Sequence, residues 1–292
     1  MHHDHSHGGA SHDHSPHPAH DDATDAALAE LLDLDGVVLR SYWADLLTDI
    51  ERAATRAERV ADLGAGSGVG TIALAQHFAG AEVVAIDSAP EMLRRIGVKA
   101  VDLGLAHRIR TVAADLDVEW PAVGHLDITL ASMSMHHLAD PDRVLGDLLA
   151  ATRPGGLLAV AELTEPLRFL PDELGFGRPG LEARCLDALA GEHADTLPLL
   201  GSNWAPRLVA AGFTVLSERT IAIALDPPHP PATTRYADLW LRRMRSGLAN
   251  RLAPDDLAAL DTLIDGTGPA SLQQRDDIRV RGSRTLTLAR RP

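Results

Sequence analysis

Val60-Ala61-Asp62-Leu63-Gly64-Ala65-Gly66-Ser67-Gly68-Val69-Gly70 is the stretch on which the fold turns. A short apolar run reads as a buried strand, and the glycines that follow open a helix over 68–78. Glycine lets the chain turn tightly and lets a ligand come close to the backbone. In an open α/β sheet, ligands bind outside the carboxyl ends of the strands. Two familiar phosphate loops do not fit. A dinucleotide loop needs Gly or Ala as the sixth residue counted from its first glycine. Counting from Gly64 gives Val69, and counting from Gly66 gives Thr71. A P-loop needs a Gly-Lys-Ser/Thr ending, which is absent. Instead Asp62 precedes the glycines. Its carboxylate, pointed into the crevice, would repel a pyrophosphate and attract an α-amino or sulfonium group.

The same rhythm continues on both sides. Strands are expected over 60–63, 82–86, 109–113, 126–131 and 157–163. Helices are expected at 68–78, from Pro90 and over 141–151, with Arg153-Pro154-Gly155-Gly156 as a turn. Strand and helix in alternation give a doubly wound α/β fold with a mostly parallel sheet. Two more acids end strands. Asp87 closes the second strand, as a ribose-binding acid does, and Asp115 follows the third, placed to accept from an adenine amino group. Taken singly, each could be a helix cap or turn former. Three acids at three successive strand ends point to a nucleoside-bearing ligand.

Residues 60–163 resemble the core of the class I S-adenosylmethionine (SAM)-dependent methyltransferases. Val60 to Gly68 is similar to their first motif and Val83 to Leu93 to their second. Leu126 to Leu138 resembles the fourth, and Arg153 to Glu162 the turn and fifth strand. The resemblance implies a Rossmann-like, seven-stranded sheet whose last strand, expected over 278–289, is antiparallel. It implies SAM as cofactor and S-adenosylhomocysteine as product, with no catalytic metal. Asp62, Gly64 and Gly66 would face the methionine part, and Gly68 would either join them or serve helix packing. Asp87 would take the ribose, with Ser88 and Met92 near the adenosine. Asp115 and the Leu116 backbone would take the adenine, and Ser132 would lie near the methionine part or the acceptor entrance. The acceptor would be a small molecule with an O, N or C nucleophile. His136, beside His137 after the fourth strand, is the candidate base, because an ordinary imidazole titrates near neutrality. An NAD-dependent oxidoreductase on a similar fold, or a non-catalytic SAM- or metal-binding regulatory protein, are the competing readings.

Composition narrows the partners. The chain has 292 residues, a net charge of -14 and one cysteine, Cys185. An acidic chain argues against nucleic acid or an anionic membrane as partner. One cysteine excludes an internal disulfide and fits a cytoplasmic setting. No apolar stretch approaches the ~20 residues that span a bilayer. A homodimer is an open expectation. Residues 1–25 form a separate zone holding His2, His3, His5, His7, His12, His14, His17 and His20. Its composition predicts disorder and loose binding of divalent metal. Residues 26–57 read as a helical cap broken at Asp35-Gly36, and 58–292 as the SAM-binding domain. Helical insertions are expected at about 164–200 and 227–270. The arginines 235, 242, 243 and 245 suggest either an acidic acceptor or a solvated helix face.

Overall fold

The computed structural model describes residues 22–292, so the His-rich tail and its metal binding lie outside the described residues. Seven strands form one sheet in the order β3-β2-β1-β4-β5-β7-β6. They are β1 (Arg59–Leu63), β2 (Glu82–Asp87), β3 (Ile109–Ala113), β4 (Leu126–Ser132), β5 (Thr152–Arg168), β6 (Thr214–Leu225) and β7 (Val280–Arg290). The first five pair in parallel, and β7 runs antiparallel between β5 and β6. The order reverses between β1 and β4. That switch point leaves a crevice at their carboxyl ends, which is where the glycine loop begins.

Period-two alternation explains the layers. Val60, Val83, Ile128, Leu130 and Leu157 face one core, and Ala61, Val84, Ala131 and Leu158 face the other. Helices α1 (Asp22–Val38), α2 (Arg40–Ala53), α3 (Val69–His77), α6 (Leu181–Thr196), α8 (Ala232–Gly247) and α9 (Pro254–Asp265) supply side chains to the first core. Helices α5 (Pro141–Ala151) and α7 (Ala205–Ala210) cover the second. Helix α4 (Pro90–Asp102) packs Leu93 and Ile96 against Ala65 and Ala85.

Three local expectations are corrected. The N-terminal helices break at Leu39, not at Asp35-Gly36. Gly36 lies within α1, where a Cβ would stand 2.6 Å from Val69 Cγ1, so its glycine serves the approach of α1 to α3. Arg153 to Gly156 is part of β5, with the register against β4 shifting between Leu126 and Ile128. Strand β5 also continues to Arg168, because β7 stays paired with it past Leu163 through two further register shifts. The insertion expected from residue 164 therefore begins later.

One buried ion pair ties the cap to the sheet. Asp35 on α1 accepts from both terminal nitrogens of Arg284 on β7, from Trp43 Nε1 (3.2 Å) and from Tyr236 Oη (3.0 Å). The Arg284 guanidinium lies 4.8 Å from the Tyr42 ring centre. This pair joins α1, α2, α8 and β7. Replacing Arg284 with Met strands a buried carboxylate and should cost about 3–5 kcal/mol by denaturant unfolding. Adding Asp35→Leu should recover most of that loss, and a double variant no more stable than the single one would refute the pairing account.

A second carboxyl makes stability depend on pH. Glu182, near the start of α6, is buried and accepts from Phe169 N and Leu170 N. Burial pushes its carboxyl up to about 7, against the lowering pull of those two N–H groups. The folded state therefore holds a proton that the unfolded chain releases near the ordinary 4.5. This stability is full below about 4.5 and is lost as pH rises through about 7. Between pH 5 and 7 the unfolding free energy should fall by about 2 kcal/mol from this group. Glu182→Gln should flatten that slope in urea titrations run at several pH values.

Candidate functional site

The glycine loop leaves β1 with two left-handed glycines, Gly64 (φ +66) and Gly66 (φ +51). Gly64 N and Ala65 N donate to Ile86 O at 2.9 and 3.0 Å, and Gly66 N donates to Asp87 Oδ2 at 2.7 Å. The loop is thus pinned to the end of β2. Asp87 Oδ1 also accepts from Ala89 N at 2.8 Å, which fixes the entry to α4. Asp87 stays partly exposed and Ser88 is exposed, while Met92 is buried at the start of α4. Lys99 holds the loop from outside, donating to Ser67 O at 2.7 Å and pairing with Asp33 of α1.

Two loop expectations change. Asp62 does not point into the crevice. It is buried, accepts from Thr71 Oγ1 at 2.7 Å and holds the first turn of α3. A Cβ on Gly70 would stand 2.9 Å from its oxygens, so glycine there makes room for the carboxyl. Burial pushes Asp62 up to about 6, against the pull of Thr71. Gly68 is also buried. It has φ +93, and a Cβ there would stand 2.6 Å from Ile96 Cγ1. It is a packing glycine between α3 and α4, the second of the two roles expected for it.

Asp115 is exposed just beyond β3 and accepts from Asp117 N at 3.0 Å, forming a turn as well as lining the strand end. The Leu116 carbonyl is taken by Arg143. Ser132 ends β4, beside the buried and unpartnered Tyr42 hydroxyl.

After Ser132 the chain makes a strained turn. Met133 has φ +55, a conformation that costs a non-glycine residue about 1–3 kcal/mol. The turn aims two backbone N–H groups at Glu162 of β5. Glu162 Oε1 accepts from Ser134 N at 3.1 Å and Met135 N at 2.8 Å. Its Oε2 meets His136 Nδ1 at 2.6 Å. Ser134 Oγ donates to Leu63 O at 2.7 Å, and a Cβ on Gly64 would stand 2.5 Å from Ser134 Cβ. Glycine loop, β4 turn and β5 acid thus form one unit.

His136 is buried and its ring centre lies 4.1 Å from that of His137. Partial desolvation, then the neighbouring His136, lowers His137 from its ordinary value, with a further contribution from Arg243. His193 of α6 is lowered in the same way, desolvation first. Of the four α8 arginines, Arg235 pairs with Glu30 and Asp238, Arg242 with Asp238 and Asp265, and Arg245 with Asp261. Three of the four are therefore spent on holding α8. Only Arg243 has no carboxylate partner among the described residues.

The sequence reading missed Glu162, Ser134 and Thr71. Glu162 is an acid within a buried apolar run, and nothing nearby in sequence announced its partners.

Residues 60–156 match the family model described as a methyltransferase domain. The chain is 34% identical over 125 residues to malonyl-[acyl-carrier protein] O-methyltransferase of Laribacter hongkongensis, covering 39% of this chain and 42% of that one. It is 35% identical over 133 residues to demethylmenaquinone methyltransferase of Thermus thermophilus, covering 44% and 59%. It is 32% identical over 140 residues to trans-aconitate 2-methyltransferase of Escherichia coli, covering 47% and 52%. The chain spans about half the length of these relatives. The crystal structure of a candidate methyltransferase from Bacillus halodurans C-125 shares the fold, with TM-score 0.52 and 18% identity, covering 84% of this chain and 98% of that one. Residues 60–156, set in this seven-stranded sheet, thus match a methyltransferase domain.

Proposed function

We infer that the protein is a methyltransferase that moves a methyl group from SAM to an O, N or C nucleophile of a small molecule and leaves S-adenosylhomocysteine. The observation that carries this is the bare backbone cradle of Gly64 and Gly66, fixed between Asp87 and Ser134. The donor set fits SAM. Asp87 spends each oxygen on one backbone N–H and keeps lone pairs for vicinal hydroxyls. Asp115 is exposed one strand over, where it can accept from an amino group. A phosphate would meet carboxylates here and would be repelled.

In this reading Gly64, Gly66 and Ser132 hold the methionine end. Asp87, Ser88 and Met92 hold the ribose and adenosine, and Asp115 and the Leu116 backbone hold the adenine. Asp62 and Gly68 support the loop from behind. SAM supplies a methyl already activated on a cationic sulfur, so the protein's part is position and dehydration. His136 stands on the acceptor side as the group that takes a proton. The relatives are named for three unlike acceptors, which supports methyl transfer without choosing among them. No helix among the described residues is long and apolar enough to cross a membrane. A cytoplasmic setting is part of the proposal.

Titration calorimetry with SAM, S-adenosylhomocysteine and NAD tests the reading. SAM and its product should bind, and NAD should not. Asp87→Ala should weaken SAM binding about tenfold or more, the loss expected for removing about 1.4 kcal/mol or more of hydrogen bonding. Tight NAD binding without SAM binding would overturn the assignment.

A further inference from the structure

Glu162 is 2% exposed, and no Lys or Arg pairs with it among the described residues. A buried carboxylate without a fixed cation is costly unless hydrogen bonds satisfy it. Here two backbone N–H groups occupy one oxygen and His136 Nδ1 occupies the other. In the neutral ring that contact puts the proton on Nδ1 and leaves Nε2 as a bare acceptor. Among the described residues Nε2 has no hydrogen-bond partner and is not one of the sealed polar atoms. The turn that carries His136 is the same one whose Ser134 backs Gly64. The open nitrogen is therefore held in fixed relation to the cradle for the methyl donor.

Building on the methyl-transfer reading above, we propose that Glu162 is a positioning residue that holds His136 as proton acceptor, and that the methyl acceptor is a molecule that must give up a proton: a hydroxyl, an amine or an acidic C–H, not a carboxylate. A carboxylate at neutral pH has no proton to lose, and a buried imidazole aimed by a buried acid would be idle before it. In the step, the acceptor's O–H, N–H or C–H bond gives its proton to His136 Nε2. The freed electron pair forms the new bond to the methyl carbon. The methyl–sulfur bond breaks, with its pair going to sulfur, and His136 then returns the proton to water. Every atom is accounted for without a further reactant. The groups around His136 are Glu162 of β5, His137 of the same turn, His193 of α6 and Arg243 of α8. None of the three neighbours replaces Glu162 on Nδ1.

The acceptor class can be read without knowing the acceptor. The full chain is incubated with methyl-labelled SAM and the small-molecule fraction of a cell extract, and the labelled products are treated with mild alkali. Ethers, N-methyl and C-methyl products keep the label, whereas methyl esters lose it as methanol. Retained label is expected. Label lost to alkali overturns this proposal while methyl transfer stands. No label at all, with SAM bound or not, removes methyl transfer and this proposal together.

On an acceptor so found, Glu162→Gln should lower kcat by about 10²–10⁴-fold with little change in the KM for SAM. The ¹⁵N spectrum of His136 should also lose its single Nδ1–H tautomer. An equal loss in kcat and SAM affinity, with the tautomer unchanged, would show a merely structural role and overturn the assignment. Should Glu162→Gln fail to fold, His136→Gln decides, because it leaves Glu162 in place. Full activity in that folded variant overturns the proposal, and a matching loss of kcat supports it.

Discussion

Glu162 holds three donors that come from three consecutive residues of another strand's exit turn. That single carboxylate fixes the strained backbone at Met133 and sets Ser134 against Leu63 and Gly64. Without it the turn after β4 would have two buried N–H groups to satisfy elsewhere, each costing about 1–3 kcal/mol if left unpaired. The floor of the crevice is therefore one hydrogen-bonded unit shared by β1, β4 and β5. Its two sides are not independent, since the wall of the glycine cradle and the mounting of His136 are the same three residues.

The roof is held by another buried charge. Asp35 and Arg284 are 249 residues apart in sequence and meet under the aromatic rings of Tyr42, Trp43 and Tyr236. Burying an ion pair is of doubtful value for stability by itself, because both ions lose water. Its use here is positional. It allows one seating of α1, α2 and α8 on β7, and through Asp33 and Lys99 the same cap reaches the glycine loop. Salt bridges from α8 to Glu30 and to Asp261 and Asp265 of α9 reinforce that seating.

What the sequence disclosed follows from range. The five parallel strands and their helices were legible because period-two and period-3.6 patterns are local. Gly64, Gly66 and Asp87 were legible because a loop and the next strand end lie about twenty residues apart. Asp35-Gly36 was misread, since the dipeptide favours a turn locally and its tertiary partners, Arg284 and Val69, override that preference. Asp62 was placed correctly on its strand but its direction was not. Only the folded chain brings Thr71 and the space left by Gly70 to its side. Glu162 lies within the long β5, and its meaning depends on a turn 26 residues earlier.

Charge divides the crevice in a way that neither half of the site explains alone. Asp87 and Asp115 give the β2 and β3 side an acidic rim suited to a ligand with hydroxyl, amino and sulfonium groups. Beside His136, Glu162 has both oxygens engaged by the turn, Oε1 by two N–H groups and Oε2 by His136 itself. His137 and His193 are both lowered, desolvation first, which favours their neutral forms, and Arg243 is the one α8 arginine without a carboxylate partner among the described residues. The imidazoles of His136, His137 and His193 and the Arg243 guanidinium thus gather on that side. A second carboxylate free to accept at that position would compete with His136 for the acceptor's proton, whereas Glu162 is engaged by the turn and by His136 Nδ1.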